Sequence, residues 1–165
     1  MSKKNGRNTI PDAAAKLQEA QEASLKMKKT LAYDAPITRR EDCLLYLKRF
    51  QEACYSVTIS LDKAKKGWRK NLDPQQAELI NFMLEQRGTE THNAGAVGLR
   101  KETKWYPAIR FKEVEITSPP ALFITSGIPN TNAIGLPDYY FDTRTGRKEI
   151  IPTCDEYLAV LARQI

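Results

Sequence analysis

The chain has little of what most site chemistry needs. Its 165 residues hold one histidine, His92, and three cysteines. A single histidine with no paired CxxC spacing leaves a structural zinc site without ligands. Cys43 and Cys54 lie eleven residues apart in one helical pattern, about 16 Å along its axis, too far to bridge. With Cys154 they are expected to be three reduced, buried thiols. Gly95-Ala96-Val97-Gly98 is not followed by the lysine and hydroxyl of a phosphate loop. Ser56, Ser60 and Ser126 lack the context of a serine nucleophile. No apolar run approaches the roughly 18 residues that span a bilayer. Met1–Ile10 carries lysines with no apolar core after them, so no secretory leader is expected and the cytoplasm is the expected compartment. No cofactor or metal is expected.

Charge of one sign is also scarce where it would count. The net charge is +6, but nine of the 26 basic residues fall within the first 40 positions beside four of the 20 acidic ones. The rest is nearly neutral, with 17 against 16. The basic character therefore belongs to residues 1–10, read as a flexible arm with Lys3, Lys4 and Arg7, and to the helix after them. Such an arm suits a solvated tail, or contact with phosphates or an acidic partner.

What the sequence does have is helical patterning. From about Pro11 to Tyr33 run good helix formers with an alanine-rich stripe, expected to pack shallowly or against another chain, and Pro36 ends the run. Thr38 and Glu41 form a capping box. Cys43, Leu47, Phe50, Cys54, Val57 and Leu61 then repeat at 4-3-4-3-4 spacing, the buried stripe of a central helix. Lys63, Lys65, Lys66, Arg69 and Lys70 surround Trp68. Basic residues with an interleaved aromatic offer a nucleic-acid surface, or simply the charged end of a helix. Asp73-Pro74 opens a third helix as N-cap and first-turn proline, with Ala77, Ile80, Phe82, Met83 and Leu84 on its apolar face.

Beyond Gly88 the composition predicts a change from helix to polar, glycine-containing chain. Ile109–Thr117 and Ala121–Thr125 read as strands, and Gly127–Asp138 as a long loop. Tyr139-Tyr140-Phe141 and Lys148-Glu149-Ile150-Ile151 read as a hairpin around Thr145-Gly146. Glu113 and Glu115 suit a solvated strand edge. Thr153 and Glu156 form a second capping box before a terminal helix. The expected fold is α+β, one domain over residues 11–165. It comprises a helical bundle (11–95), a small antiparallel β unit acting as a flap (105–152), and a short C-terminal helix (153–165).

The most chemical feature lies at the end of the third helix. Arg87 follows Ile80, Met83 and Leu84 on the inward face, and His92 stands five residues on. A glycine at position 88 is expected to end the helix and turn His92 back toward Arg87. An arginine there neutralises phosphate charge, and a histidine transfers protons near neutral pH. An arginine followed after four to six residues by histidine, on a small helical bundle, resembles the HEPN superfamily (higher eukaryotes and prokaryotes nucleotide-binding) over about residues 11–95. The resemblance implies a metal-independent endoribonuclease working as a homodimer, of the kind found in bacterial defence or toxin systems. In it Arg87 contacts phosphate, and His92 serves attack by a ribose 2′-hydroxyl. Members place Asn, Asp or His directly after the arginine. Gly88 stands there in this chain, leaving Thr89, Glu90 and Thr91 as supporting polar residues. The residues themselves leave a second reading open, in which Arg87 bridges to Glu85 or Glu90 and His92 bonds within the turn. The protein would then be a non-enzymatic adaptor docking a protein partner through its first helix and basic arm.

Overall fold

Four α-helices and a three-stranded antiparallel sheet make up the described part of the chain, residues 10–32, 42–92, 99–107, 133–143 and 146–165 of a computed structural model. The fold is α+β and mainly helical. The helices are α1 (Ile10–Leu31), α2 (Asp42–Ala64), α3 (Pro74–His92) and α4 (Ile150–Ala162). The strands are β1 (Leu99–Pro107), β2 (Ala133–Thr143) and β3 (Gly146–Glu149), paired in that order. Residues 1–9 of the basic arm, Pro36, the Thr38–Glu41 box, Gly95–Gly98, and the strands expected at 109–117 and 121–125 with Glu113, Glu115 and Ser126 lie outside the described residues. Among the described residues no helix is long and apolar enough to cross a membrane.

The α2 stripe behaves as its spacing predicts. Cys43, Leu47, Phe50, Cys54, Val57 and Leu61 are all buried, and they join one core with residues of α1, α3, β2 and α4. The Phe50 ring meets Tyr157 of α4 edge-on at 6.3 Å, the arrangement aromatic quadrupoles prefer. The Tyr157 hydroxyl lies 3.5 Å from that of Thr58. Burial pushes the Cys54 and Cys154 thiols and the Tyr157 phenol upward, so all three stay protonated and the thiols are poor nucleophiles.

The alanine stripe of α1 packs inside the chain, not shallowly. Ala13, Ala20 and Met27 are fully buried, with Leu17, Ala23 and Ser24 beside them. Small side chains let the helix lie close on its neighbour. Lys28 Nζ reaches Asp155 Oδ1 of α4 at 2.8 Å, and Ser24 Oγ donates to the same oxygen at 3.4 Å.

At the start of α3, Asp73 Oδ1 accepts from the Gln76 amide at 2.8 Å, while Gln76 Oε1 accepts from the Asp73 amide at 3.3 Å. This reciprocal capping satisfies two otherwise orphaned donors. The helix then runs through Gly88 to His92, so Gly88 does not end it. An interior glycine costs only about 1 kcal/mol relative to alanine, and Leu79, Ile80 and Met83 anchor the helix in the core.

The sheet also departs from expectation. Ala133–Asp138, read as loop, begins β2 and pairs with residues 102–107 of β1, from Pro107↔Ala133 to Glu102↔Asp138. The prolines and glycines of the region masked this strand. Pro137 is tolerated because β3 pairs only with Tyr140–Thr143, leaving Pro137 no β3 bond to miss. The β2–β3 hairpin has Thr143 opposite Gly146, whose φ of 133° favours glycine. Tyr139 and Phe141 share one face and enter the core. Phe141 meets Phe82 of α3 edge-on at 5.5 Å, so the sheet is seated on the bundle.

The hairpin ends earlier than expected: Ile150 and Ile151 belong to α4. Thr153 therefore lies within the helix, where its hydroxyl donates to the Glu149 carbonyl at 2.7 Å, and forms no cap with Glu156. Burying Ile150 draws the helix start back, and Pro152 fits the first turn because no intrahelical acceptor waits for its N–H.

A Cβ at Gly88 would meet no atom within 4 Å. Gly88→Ala should therefore raise stability by about 0.5–1 kcal/mol, read as a higher urea midpoint. A lower midpoint would mean that position 88 is not helical.

Candidate functional site

Arg87 sits where α3 leaves the core, one turn beyond Met83 and two beyond Ile80. Its side chain is 25% exposed. It pairs with Glu52, 35 residues earlier on α2. Arg87 Nε donates to Glu52 Oε1 at 3.2 Å, and Nη2 donates to Oε2 at 3.3 Å. The guanidinium carbon also lies 4.1 Å from the centre of the Tyr55 ring. Carboxylate and ring are three residues apart on α2, so one helical turn presents both. The arginine is thus held in plane by a fork and from one face by an aromatic ring. Both hydrogen bonds are longer than the 2.7–2.9 Å usual for charged partners, and Glu52 is 46% exposed. The pair is worth about 0–1 kcal/mol.

Thr89, Glu90, Thr91 and His92 form the last turn of α3 and are placed as backbone positions. Helical continuation sets His92 about 7.5 Å along the axis from Arg87 and about 140° around it. The turn expected at Gly88 does not fold His92 back. Among the described residues, no three His, Cys, Asp or Glu side chains gather in a way that would hold a metal.

The basic stretch after α2 is not a stacking surface. Gly67 adopts a left-handed φ of 80° and leads into a 3₁₀ turn at Trp68–Asn71. That turn drives the Trp68 ring into the core, 3% exposed. Its Nε1 donates to Asp62 Oδ1 at 2.7 Å. Arg69 grips the same carboxylate through Nε at 3.1 Å and Nη2 at 2.8 Å. Lys65 Nζ donates to the Gln164 carbonyl beyond α4. Lys66 and Lys70 are exposed. A bulky indole finds more favourable energy in burial than in solvent, and the run closes the bundle.

Three residues that organise these groups were not singled out from the sequence. Asp62 is the only acid between residues 62 and 72, a signal that it would collect the nearby donors. Glu52 and Tyr55 flank the apolar stripe of α2, and nothing local sets them against position 87.

No protein-family model matches the chain, no curated protein matches it, and no solved structure matches it.

Trp68→Ala should cost about 3–5 kcal/mol, whereas Lys66→Ala and Lys70→Ala should each stay within about 0.5 kcal/mol of the parent. Urea unfolding of the three variants measures this. A Trp68→Ala protein as stable as the parent would contradict the burial of the ring.

Proposed function

We propose that the protein is RNA-directed and resembles HEPN proteins in mechanism: a metal-independent endoribonuclease acting as a homodimer, with Arg87 and His92 as its catalytic residues. The observation that carries this reading is the placement of Arg87 and His92 on one continuous helix, with the guanidinium steadied by Glu52 and Tyr55. A guanidinium kept in place by the Tyr55 ring is a preorganised charge for a phosphodiester, more effective than a freely moving one. The histidine then serves proton transfer for the attacking 2′-hydroxyl and the leaving 5′-oxygen. Two copies bring two such helices to one RNA strand. Lys66 and Lys70 contribute backbone attraction at most, since Trp68 and Arg69 are engaged elsewhere.

A second reading draws on a different surface. A groove of about 600 Å³ runs between α1 and α2, lined in part by Lys26, Leu45, Tyr46, Arg49 and Glu52. Leu25 and Leu45 are 54% and 48% exposed. These features suit an adaptor that docks a protein partner along its first two helices.

Purified protein incubated with mixed-sequence RNA in excess EDTA decides between the two. The expected result is cleavage that Arg87→Ala and His92→Ala each reduce at least about 100-fold, the scale of a lost proton-transfer group. Intact RNA, or cleavage indifferent to both substitutions, would overturn the nuclease reading and favour the adaptor.

A further inference from the structure

We infer that Glu52 is a built-in competitor at an anion site centred on Arg87. It occupies the guanidinium edge that a phosphate group would take, and it is displaced when one binds. The inference rests on the reading above only in taking RNA phosphate as the natural occupant.

The geometry of the guanidinium carries it. One face of the group lies against the Tyr55 ring, 4.1 Å from its centre, and because all its N–H donors lie in the plane an anion engages it through an edge. The Nε–Nη2 edge has two parallel donors matched to a carboxylate or a phosphate, and Glu52 fills it with one oxygen on each donor. Distances of 3.2 and 3.3 Å make this a loosely closed fork. The partly exposed carboxylate regains water when it leaves. Tyr55 keeps its place when Glu52 moves, because the ring contact and the fork are made by different side chains. The ion pair thus screens the Arg87 charge from weaker anions, while the Tyr55 ring holds the guanidinium in place. Glu52 is a competing and selecting residue, and the ligand is a phosphate mono- or diester.

The test follows the Arg87 Nε–Hε resonance in ¹⁵N-labelled full-length protein, assigned by its absence in Arg87→Lys. Inorganic phosphate is titrated at pH 7 against the parent, Glu52→Gln and Glu52→Ala. Glutamine matches the size of Glu52 but removes its charge and one fork acceptor, and alanine removes both acceptors. Thermal unfolding of each variant confirms that it is folded. The expected result is a saturable shift of the Arg87 signal, with phosphate affinity about three- to fivefold tighter in both variants, the scale of an exposed ion pair. Equal or weaker affinity in the variants would overturn the inference. So would a parent and variants in which the Arg87 signal ignores phosphate. If phosphate behaves as expected while RNA stays intact in EDTA, the competitor role stands and the nuclease reading alone falls.

Discussion

Burial of one face of α2 is the constraint on which the rest of the structure depends. Its stripe from Cys43 to Leu61 has every member in the core. Fully burying such side chains is worth about 1.5–3 kcal/mol each, well above the roughly 0–1 kcal/mol of an exposed ion pair. Once that face is fixed inward, the helical period dictates where every other residue of α2 points. Ala53 and Ser60 are buried, Thr58 meets Tyr157 of α4, and Glu52 and Tyr55 reach Arg87 of α3. The neighbouring elements take their positions from this one helix.

The site inherits its precision from that arrangement. Glu52 and Tyr55 are oriented by a helix that cannot rotate without exposing its stripe, and Arg87 extends from a helix anchored by Ile80 and Met83. The fork and the ring contact are individually weak. They nevertheless define one orientation of the guanidinium, because rigid elements supply both. The same logic explains the corner after α2. There Asp62, on the last exposed turn, gathers the Trp68 indole and the Arg69 guanidinium, closing the bundle next to α4.

The helical half was legible because its signals are local and repeated. The 4-3-4-3-4 spacing located α2 and its core face, and Asp73-Pro74 located the start of α3. The hairpin around Gly146 was legible for the same reason, since a turn constrains few residues. Single glycines and short boxes misled where tertiary packing outweighed them. Gly88 stays helical, Thr153 lies inside α4, and the sequence from Ala133 to Asp138 becomes strand by pairing with β1. Arg87 was recognisable from its place on an apolar face, but its partner was not. Glu52 is 35 residues away, and only the packing of α2 on α3 joins them. The basic run around Trp68 suits a nucleic-acid surface or the charged end of a helix, and the burial of the ring follows from the turn that Gly67 starts.

A metal-independent ribonuclease of the kind proposed has a distinctive product. Attack by the ribose 2′-hydroxyl on the adjacent phosphodiester expels the 5′-oxygen of the next nucleotide. The phosphate remains on the upstream fragment as a cyclic ester. End-group analysis of RNA fragments produced in EDTA tests this most directly. The expected ends are 2′,3′-cyclic phosphate and 5′-hydroxyl. Fragments bearing 3′-hydroxyl and 5′-phosphate, or RNA that remains intact, would contradict a ribonuclease built on Arg87 and His92.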